Sequence, residues 1–383
     1  MRLVYLSPVS WHSFAQRPHE LVRQFHAATQ AQVLWIEPYP TRLPGISDLF
    51  GQRPPQGPHE PQPAWLTLAS PRALPIEPLP GSGWLNSLLW RDLVRQVRDF
   101  AQGTTLLGIG KPSRLALQLL REPVFDSSFY DVMDNVPAFY RGWSRRTMRR
   151  HQHETARAVD ITLASCSALQ RYWQGQRVHT QLLLNACATE RLPALGLRRS
   201  GSAVAAPVFG YVGTLAKWFD WDFVQALALA FPDAEVRLIG PRYGAAPTSL
   251  ATNIRLLPAL SHADALQAMT EFAVGLIPFK RNDLTRFVDP IKYYEYRALG
   301  LPVVSSAFGE MTSRRDVSGV FLCENTADIP WLMEQALAFR EPLDDTLLFR
   351  EANSWTKRFE LAHPAICSER GWSWPRHRRD QAW

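Results

Sequence analysis

The stretch Phe287-Val-Asp-Pro-Ile-Lys-Tyr-Tyr-Glu-Tyr-Arg-Ala-Leu-Gly-Leu-Pro-Val-Val-Ser-Ser306 constrains the fold more than any other part of the chain. Asp289 is suited to cap a helix, and Pro290 suits the first turn, where a missing N–H costs nothing. Gly300 can end the helix in the left-handed conformation, and Pro302 forbids continuation. The spacing predicts one short helix over 290–299. An apolar run at 273–279 precedes it, and Val303-Val-Ser-Ser306 follows. Strand, loop, helix and strand make a βαβ unit with parallel strands.

Open parallel sheets bind their ligands beyond the carboxyl ends of the strands. Here that place is the loop 280–285 and the start of the 290 helix. A helix N-terminus attracts phosphate. Lys280, Arg281 and Lys292 add positive charge, and Glu295 shares a helical face with Lys292. The pair has two readings. One is a solvated i,i+3 ion pair of little energetic weight. The other is a nucleotide diphosphate site, with the cation at the phosphates and the carboxylate accepting from two vicinal ribose hydroxyls.

At 383 residues the chain is long for one domain, and two is the expectation. A composition 46% hydrophobic and 20% charged is ordinary for a globular protein. The formal charge of +7 comes almost entirely from arginine, since only five lysines occur. Two of those five, Lys280 and Lys292, fall in the organising region. The charge fits anionic partners such as nucleotide sugars, lipid diphosphates or an acidic membrane surface. No nucleic-acid-binding motif accompanies it, so nucleic acid is not expected as a partner. Cys166, Cys187, Cys323 and Cys367 show no metal spacing and read as free thiols of a cytoplasmic protein. The first residues read as a strand rather than a signal peptide, and no run approaches the ~20 apolar residues of a membrane span. Any membrane contact is expected to be peripheral, at the inner face.

Strands are expected at 2–6, 32–36, 104–110, from Ser128, 160–165, 181–185, 207–213, 235–241, 253–257 and 321–323, with amphipathic helices between many of them. Residues 39–82 are proline-rich and read as an extended insertion or lid. The segment 84–100 keeps approximate helical period through Leu85, Leu88, Leu89, Val94 and Val97. It reads as a core-facing helix or, given Trp84 and Trp90 near its start, as a lipid-interface anchor. Tyr140 to Arg150 is basic and aromatic, either a solvated face or a site for an anionic acceptor or lipid headgroups. Gly108-Ile-Gly110-Lys-Pro-Ser113 matches neither a dinucleotide fingerprint nor a Walker loop. Asp220, before the helix that runs to about 231, reads as an N-cap rather than as half of an Asp-x-Asp metal motif. Gly213 has no Cβ, so its backbone can approach a phosphate closely.

The pattern Pro290-x-Lys292-x-x-Glu295-Tyr, then Ala298-x-Gly300-x-Pro302-Val-Val, resembles the donor-binding signature of GT-B glycosyltransferases. Within them it is most similar to the large retaining family numbered four, in particular its teichuronic-acid and capsule-type enzymes. The resemblance implies an α/β fold of two Rossmann-like parallel-sheet domains facing each other across a cleft. Residues 1–197 would bind the acceptor, 198–206 would link, 207–352 would bind the nucleotide sugar, and 353–383 would form a crossover helix and tail. It implies that Glu295 holds the ribose, and that Lys280, Arg281, Thr285 and Lys292, with Pro290 and Ile291 at the helix start, face the diphosphate. Gly213, Lys217 and Gly240 would complete the donor site. Gln16-Arg-Pro-His19 resembles the first loop of these enzymes, so Arg17 and His19 face the cleft if they are not simply a helix start. Asp134, with Asn135, would lie near the reacting sugar and acceptor. Asp134 and Lys292 are the catalytic candidates. One departure stands out, because many members carry Glu-x7-Glu and the first position here is Phe287.

The expected function is transfer of a hexose-type sugar from a nucleotide diphosphate donor to a glycan or lipid-linked acceptor in polysaccharide biosynthesis. The resemblance implies a retaining reaction with no cofactor and no essential metal. A nucleotide-sugar epimerase of the same fold and a non-catalytic nucleotide-sugar-binding subunit stay open as alternatives.

Overall fold

Apolar runs alternating with amphipathic helices fold into two parallel sheets in this computed structural model, which describes residues 1–13, 15–42, 62–79, 82–195, 206–244 and 247–367. The first sheet contains β1 (Arg2–Leu6), β2 (Gln32–Ile36), β3 (Leu66–Ala69), β4 (Thr105–Ile109), β5 (Ser127–Val132), β6 (Ile161–Ala164) and β7 (Thr180–Leu182). Their order is β3-β2-β1-β4-β5-β6-β7. The second sheet contains β8 (Val208–Val212), β9 (Glu235–Ile239), β10 (Ile254–Leu257), β11 (Val274–Ile277), β12 (Val303–Ser306) and β13 (Val320–Cys323), in the order β10-β9-β8-β11-β12-β13. All ladders in both are parallel. Parallel strands need crossovers, and helices on both faces exclude water from them. Central strands are accordingly apolar throughout, with Leu3, Val4, Tyr5, Leu107 and Ile109 fully buried.

In the first domain, α1 (Arg17–Thr29) covers one face of the sheet. It packs there beside α12 (Trp355–Cys367), which returns from the end of the chain and sets Phe359 edge-on to Phe25. The other face carries α2 (Ser82–Leu89), α3 (Arg91–Phe100), α4 (Arg114–Leu119), α5 (Gly142–Ala158) and α6 (Ser167–Gly175). The single helix expected over 84–100 is thus two, meeting at Trp90. Leu93, Val94 and Val97 of α3 are buried, whereas Trp84, Leu85, Leu88 and Leu89 of α2 are exposed. The proline-rich segment contains β3, an edge strand that its composition did not announce. Prolines flank it but do not enter it, as an edge strand tolerates. Residues 43–61 and 80–81 of that segment lie outside the described residues. The same is true of the expected linker apart from Ala206, and of the tail beyond Cys367. Cys166, Cys187 and Cys323 are buried thiols.

In the second domain α7 (Trp221–Ala230) begins as expected, with Asp220 accepting from the Phe223 N–H at 3.2 Å. Four more helices follow: α8 (His262–Met269), α9 (Ile291–Ala298), α10 (Ile329–Ala338) and α11 (Leu343–Ala352). The organising helix is α9, and Gly300 closes it at φ +70°. Its N-cap is Pro290, with no side-chain cap, not Asp289.

The Asp289 carboxylate is drawn instead into a buried polar chain that joins the domains. Oδ2 accepts from the Asn185 N–H and from the Tyr294 hydroxyl, both at 2.8 Å, and Oδ1 accepts from Arg314 at 2.6 Å. Asn185 Nδ2 donates to the Asp289 carbonyl at 2.6 Å, and Asn185 Oδ1 accepts from Arg17 at 3.1 Å. Arg17 also donates to the Leu183 carbonyl at 2.7 Å and grips both oxygens of Asp131. A second tie runs from Glu310, whose carboxylate accepts from the N–H and hydroxyl of Ser167 at the start of α6, at 2.7 and 2.8 Å.

Arg17 is 3% exposed and Asp131 0%, so removing one partner leaves the other charge buried and alone. Arg17→Met is expected to destabilise the protein by about 3–5 kcal/mol, read as a fall in the urea midpoint. A loss under about 1 kcal/mol, the range of exposed pairs, would show that the pair is not a buried tie.

Candidate active site

The strand order of the second sheet reverses at the junction of β8 and β11, and the crevice beyond their carboxyl ends is where such sheets take ligands. The loop after β8 and the loop after β11 are tied together there. The Lys280 N–H donates to the Trp218 carbonyl at 2.7 Å, and the Asp220 N–H donates to the Pro278 carbonyl at 2.8 Å. Gly213 and Gly240 pack backbone on backbone. A Cβ on Gly240 would lie 2.0 Å from the Gly213 carbonyl oxygen, so glycine is required for this approach. Lys217 is exposed and lies 5.5 Å from the Phe139 ring of the first domain. Lys280 is also exposed, and no hydrogen bond or ion pair holds its ammonium among the described residues.

Two expected phosphate contacts are corrected. Thr285 is fully buried, and its hydroxyl donates to the Lys280 carbonyl while accepting from the Asn282 N–H. It shapes the loop from inside. Arg281 turns away to Glu324, donating to its carboxylate at 2.8 Å and its carbonyl at 2.9 Å. That leaves Lys280 and Lys292 as the cations around the start of α9, beside half-buried Ile291 and buried Pro290.

Glu295 is 4% exposed, one turn into α9. Burial works to raise its pKa, but the Lys292 charge and the hydrogen bond and charge of His262 outweigh burial and hold the carboxyl below its usual range. Lys292 Nζ donates to Oε2, and His262 Nε2 lies 3.2 Å from Oε1. A carboxylate has about four acceptor positions, so both oxygens keep capacity for further donors. His262 was not anticipated. Ser261 caps α8 and so puts His262 at its first position, but nothing local in the sequence links it to a glutamate on another helix.

On the first domain, β5 ends at Val132, and Asp134 follows in the exit turn. Asp134 is half-buried, and its carboxylate has no partner among the described residues. Desolvation pushes its pKa up to about 7, with Arg17 acting in the opposite direction. A perturbed, unpartnered acid in a cleft is a functional-site candidate. The next residue, Asn135, reaches across the cleft, its Nδ2 lying 3.4 Å from the Asp283 carbonyl. That contact brings the Asp134 turn against the loop that carries Lys280.

Arg17 and His19 were expected at the acceptor, and the structure places both in the interior. Arg17 is spent on Asp131, Leu183 and Asn185, as described above. His19 is 1% exposed, between Trp11 and Trp35. Its Nδ1 accepts from the Gln16 N–H at 3.2 Å and its Nε2 faces the Trp11 carbonyl at 3.1 Å. Burial, with the Arg23 charge, lowers its pKa to about 4 and keeps it neutral. Phe287, at the position of the missing first glutamate, packs against the first domain. Its ring lies 6.2 Å from Tyr172, and its carbonyl accepts from the Cys166 thiol at 3.3 Å.

No family sequence model matches this chain, and no curated protein matches it by sequence. Solved structures do match over nearly its whole length. Sucrose-phosphate synthase from Thermosynechococcus elongatus superposes with a TM-score of 0.65 at 12% identity, over 96% of this chain and 95% of that one. A trehalose-6-phosphate structure from E. coli bound with UDP-2-fluoro glucose gives 0.62 at 12%, over 96% and 99%. The lipopolysaccharide outer core galactosyltransferase WaaB gives 0.60 at 11%, over 95% and 99%. Two Rossmann-like parallel sheets, joined by a buried polar seam and matched end to end by such structures, are the GT-B fold, and this chain has it.

Proposed function

We propose that the protein is a glycosyltransferase that moves a hexose-type sugar from a nucleotide diphosphate donor to a glycan or lipid-linked acceptor hydroxyl. The observation that carries this reading is Glu295, a buried carboxylate kept ionised by Lys292 and His262 beside the ligand-binding crevice of the second sheet. A carboxylate so held can accept from both vicinal hydroxyls of a ribose, and the adjacent helix start and lysines suit the diphosphate. The match to a structure holding UDP-2-fluoro glucose supports the same donor class.

In the reaction the bond from the anomeric carbon to the diphosphate oxygen breaks, and the electron pair leaves with the diphosphate. Lys280, Lys292 and the N-terminus of α9 stabilise that charge as it develops. The acceptor oxygen bonds to the anomeric carbon, and its proton passes to the departing diphosphate. Asp134, in its ionised form, faces the positive charge that develops on the sugar. The sequence signature favours retention of configuration and a role in polysaccharide assembly.

Two measurements test this. In a thermal-shift panel of UDP, GDP, dTDP and CDP, one diphosphate at ~100 times its dissociation constant should stabilise the wild type by about 2.7 kcal/mol. Glu295→Ala should lose that shift while its unliganded circular dichroism stays native. Unchanged nucleotide binding in that variant would sink the assignment.

The second concerns Asp134. Its folded-state pKa is raised, so the folded protein holds this proton more tightly, and stability falls as pH rises from about 4 through about 7. Asp134→Asn should therefore gain at least about 1 kcal/mol over wild type at pH 8 and nothing at pH 4. Wild-type turnover should rise as pH passes through about 7, and the asparagine variant should lose most activity at every pH. An active asparagine variant with the wild-type pH profile would remove Asp134 from the reaction.

A further inference from the structure

The first domain carries two exposed surfaces that the cleft does not use. One is α2, which turns Trp84, Leu85, Leu88 and Leu89 outward, with Trp84 69% exposed. The other is α5. Its inner side buries Met148, His151, Thr155 and Ala156, and its outer side presents Arg145, Arg146, Arg149, Arg150 and Arg157. Trp143, near its start, is 61% exposed. The outer side forms an open basin whose single acid, Glu154, sits 3.7 Å from Arg150.

The two surfaces are neighbours. α4 lies between α2 and α5 on the same face of the sheet: Ser87 of α2 donates to Gln118 of α4 at 3.1 Å, and α4 packs on α5. Glu77, in the segment before α2, also approaches His151 of α5 at 3.1 Å. α4 and its end add Arg114 and Arg121, both exposed. The result is one broad face with an apolar strip along one side and arginines along the other.

We propose that this face docks the protein on an anionic lipid bilayer. Exposed apolar helix faces beside arginines are what interfacial binding uses, the apolar side chains entering the headgroup boundary and the cations meeting acidic lipids. Tryptophan is favoured at that boundary, and each of the two helices places one near its start. The arginines line a wide, open basin on the surface, which suits a fluid anionic surface better than a shaped ligand. The docked face also reaches the cleft. α5 follows the exit of β5, and Gly83 of α2 lies against Arg114 at the start of α4, so both tryptophans stand at the cleft end of the domain. A lipid-borne acceptor could enter there. The inference rests on the first domain's surface and not on the donor site.

The test is flotation of the full chain with phosphatidylcholine vesicles, with and without phosphatidylglycerol. Wild type should float with the anionic vesicles only and be released by high salt. Arg146→Glu/Arg149→Glu should lower the bound-to-free ratio at least about tenfold. Trp84→Ser/Leu88→Ser should weaken binding even at low salt. Circular dichroism and urea midpoints near wild type serve as the folding control. Absence of binding to both vesicle types, or binding indifferent to the charge reversal, would overturn the proposal. So would unchanged flotation of the Trp84/Leu88 variant together with conversion of a dimer to a monomer by light scattering, which would assign the apolar strip to a second copy of this chain.

Discussion

The structure depends on one buried polar chain, from Asp131 through Arg17 and Asn185 to Asp289 and Arg314. Isolated charges inside a protein are costly, and a pair recovers that cost only when its geometry is good and its remaining donors and acceptors are met. Here they are met from two domains. Arg17 is bidentate to Asp131, and Asn185 gives its backbone N–H and amide nitrogen to the carboxylate and carbonyl of Asp289 and its amide oxygen to Arg17. Arg314 lies over the Tyr293 ring at 3.8 Å, so its guanidinium is covered on a face as well as bonded at an edge. Asn185 also accepts, through its carbonyl, from Arg358 of α12, the helix that crosses back to the first domain. One residue, through backbone and side chain together, therefore ties both domains and the returning helix.

The seam is the tightly bonded part of the domain interface, and the Asn135 and Lys217 side is looser. There the cross-domain contacts are long or exposed: Asn135 to Asp283 at 3.4 Å, and Lys217 over Phe139 at 5.5 Å. Phe287 belongs to the tightly bonded part. A glutamate in its place would bring a carboxylate up against Tyr172, and the ring instead packs on the core of the first domain. The departure from the Glu-x7-Glu pattern is thus compensated by packing.

Most of the fold was legible because its signals are local. Apolar runs marked the central strands, Asp220 marked the start of α7, and Gly300 with Pro302 marked the end of α9. The strand expected at 32–36 is the observed β2. What sequence could not supply was the long-range partner. Asp289 has the right type and place for a cap, yet its carboxylate is taken by residues that no local pattern connects to it. Arg17 and His19 sit in the first turn of α1, the helix start that was the alternative to a cleft-facing loop; Asp131 lies 114 positions away and pairs with one, and Trp11 and Trp35 enclose the other. Arg281 is likewise claimed by a distant residue, Glu324, whereas Thr285 is held within its own loop by Lys280 and Asn282. β3 was missed because proline dominated the composition around a four-residue edge strand.

The disposition of charge separates scaffold from site. Along the seam Arg17, Asp131, Asp289 and Arg314 are each matched by opposite charge, and the result is rigidity. At the cleft the matching is incomplete. Lys280 has no ion pair, Asp134 has no hydrogen-bond donor, and Glu295 retains acceptor capacity beyond Lys292 and His262, all among the described residues. A desolvated carboxylate with a pKa near 7 lowers stability at neutral pH, since the charged form would be better solvated in the unfolded chain. The strand ladder does not use Asp134, since β5 ends at Val132. An acid held at a loss on one wall, opposite cations and an ionised glutamate on the other, is the arrangement a charge-separating transfer between the two walls would need. In that sense the protein's least stabilising charges are the ones its chemistry would use.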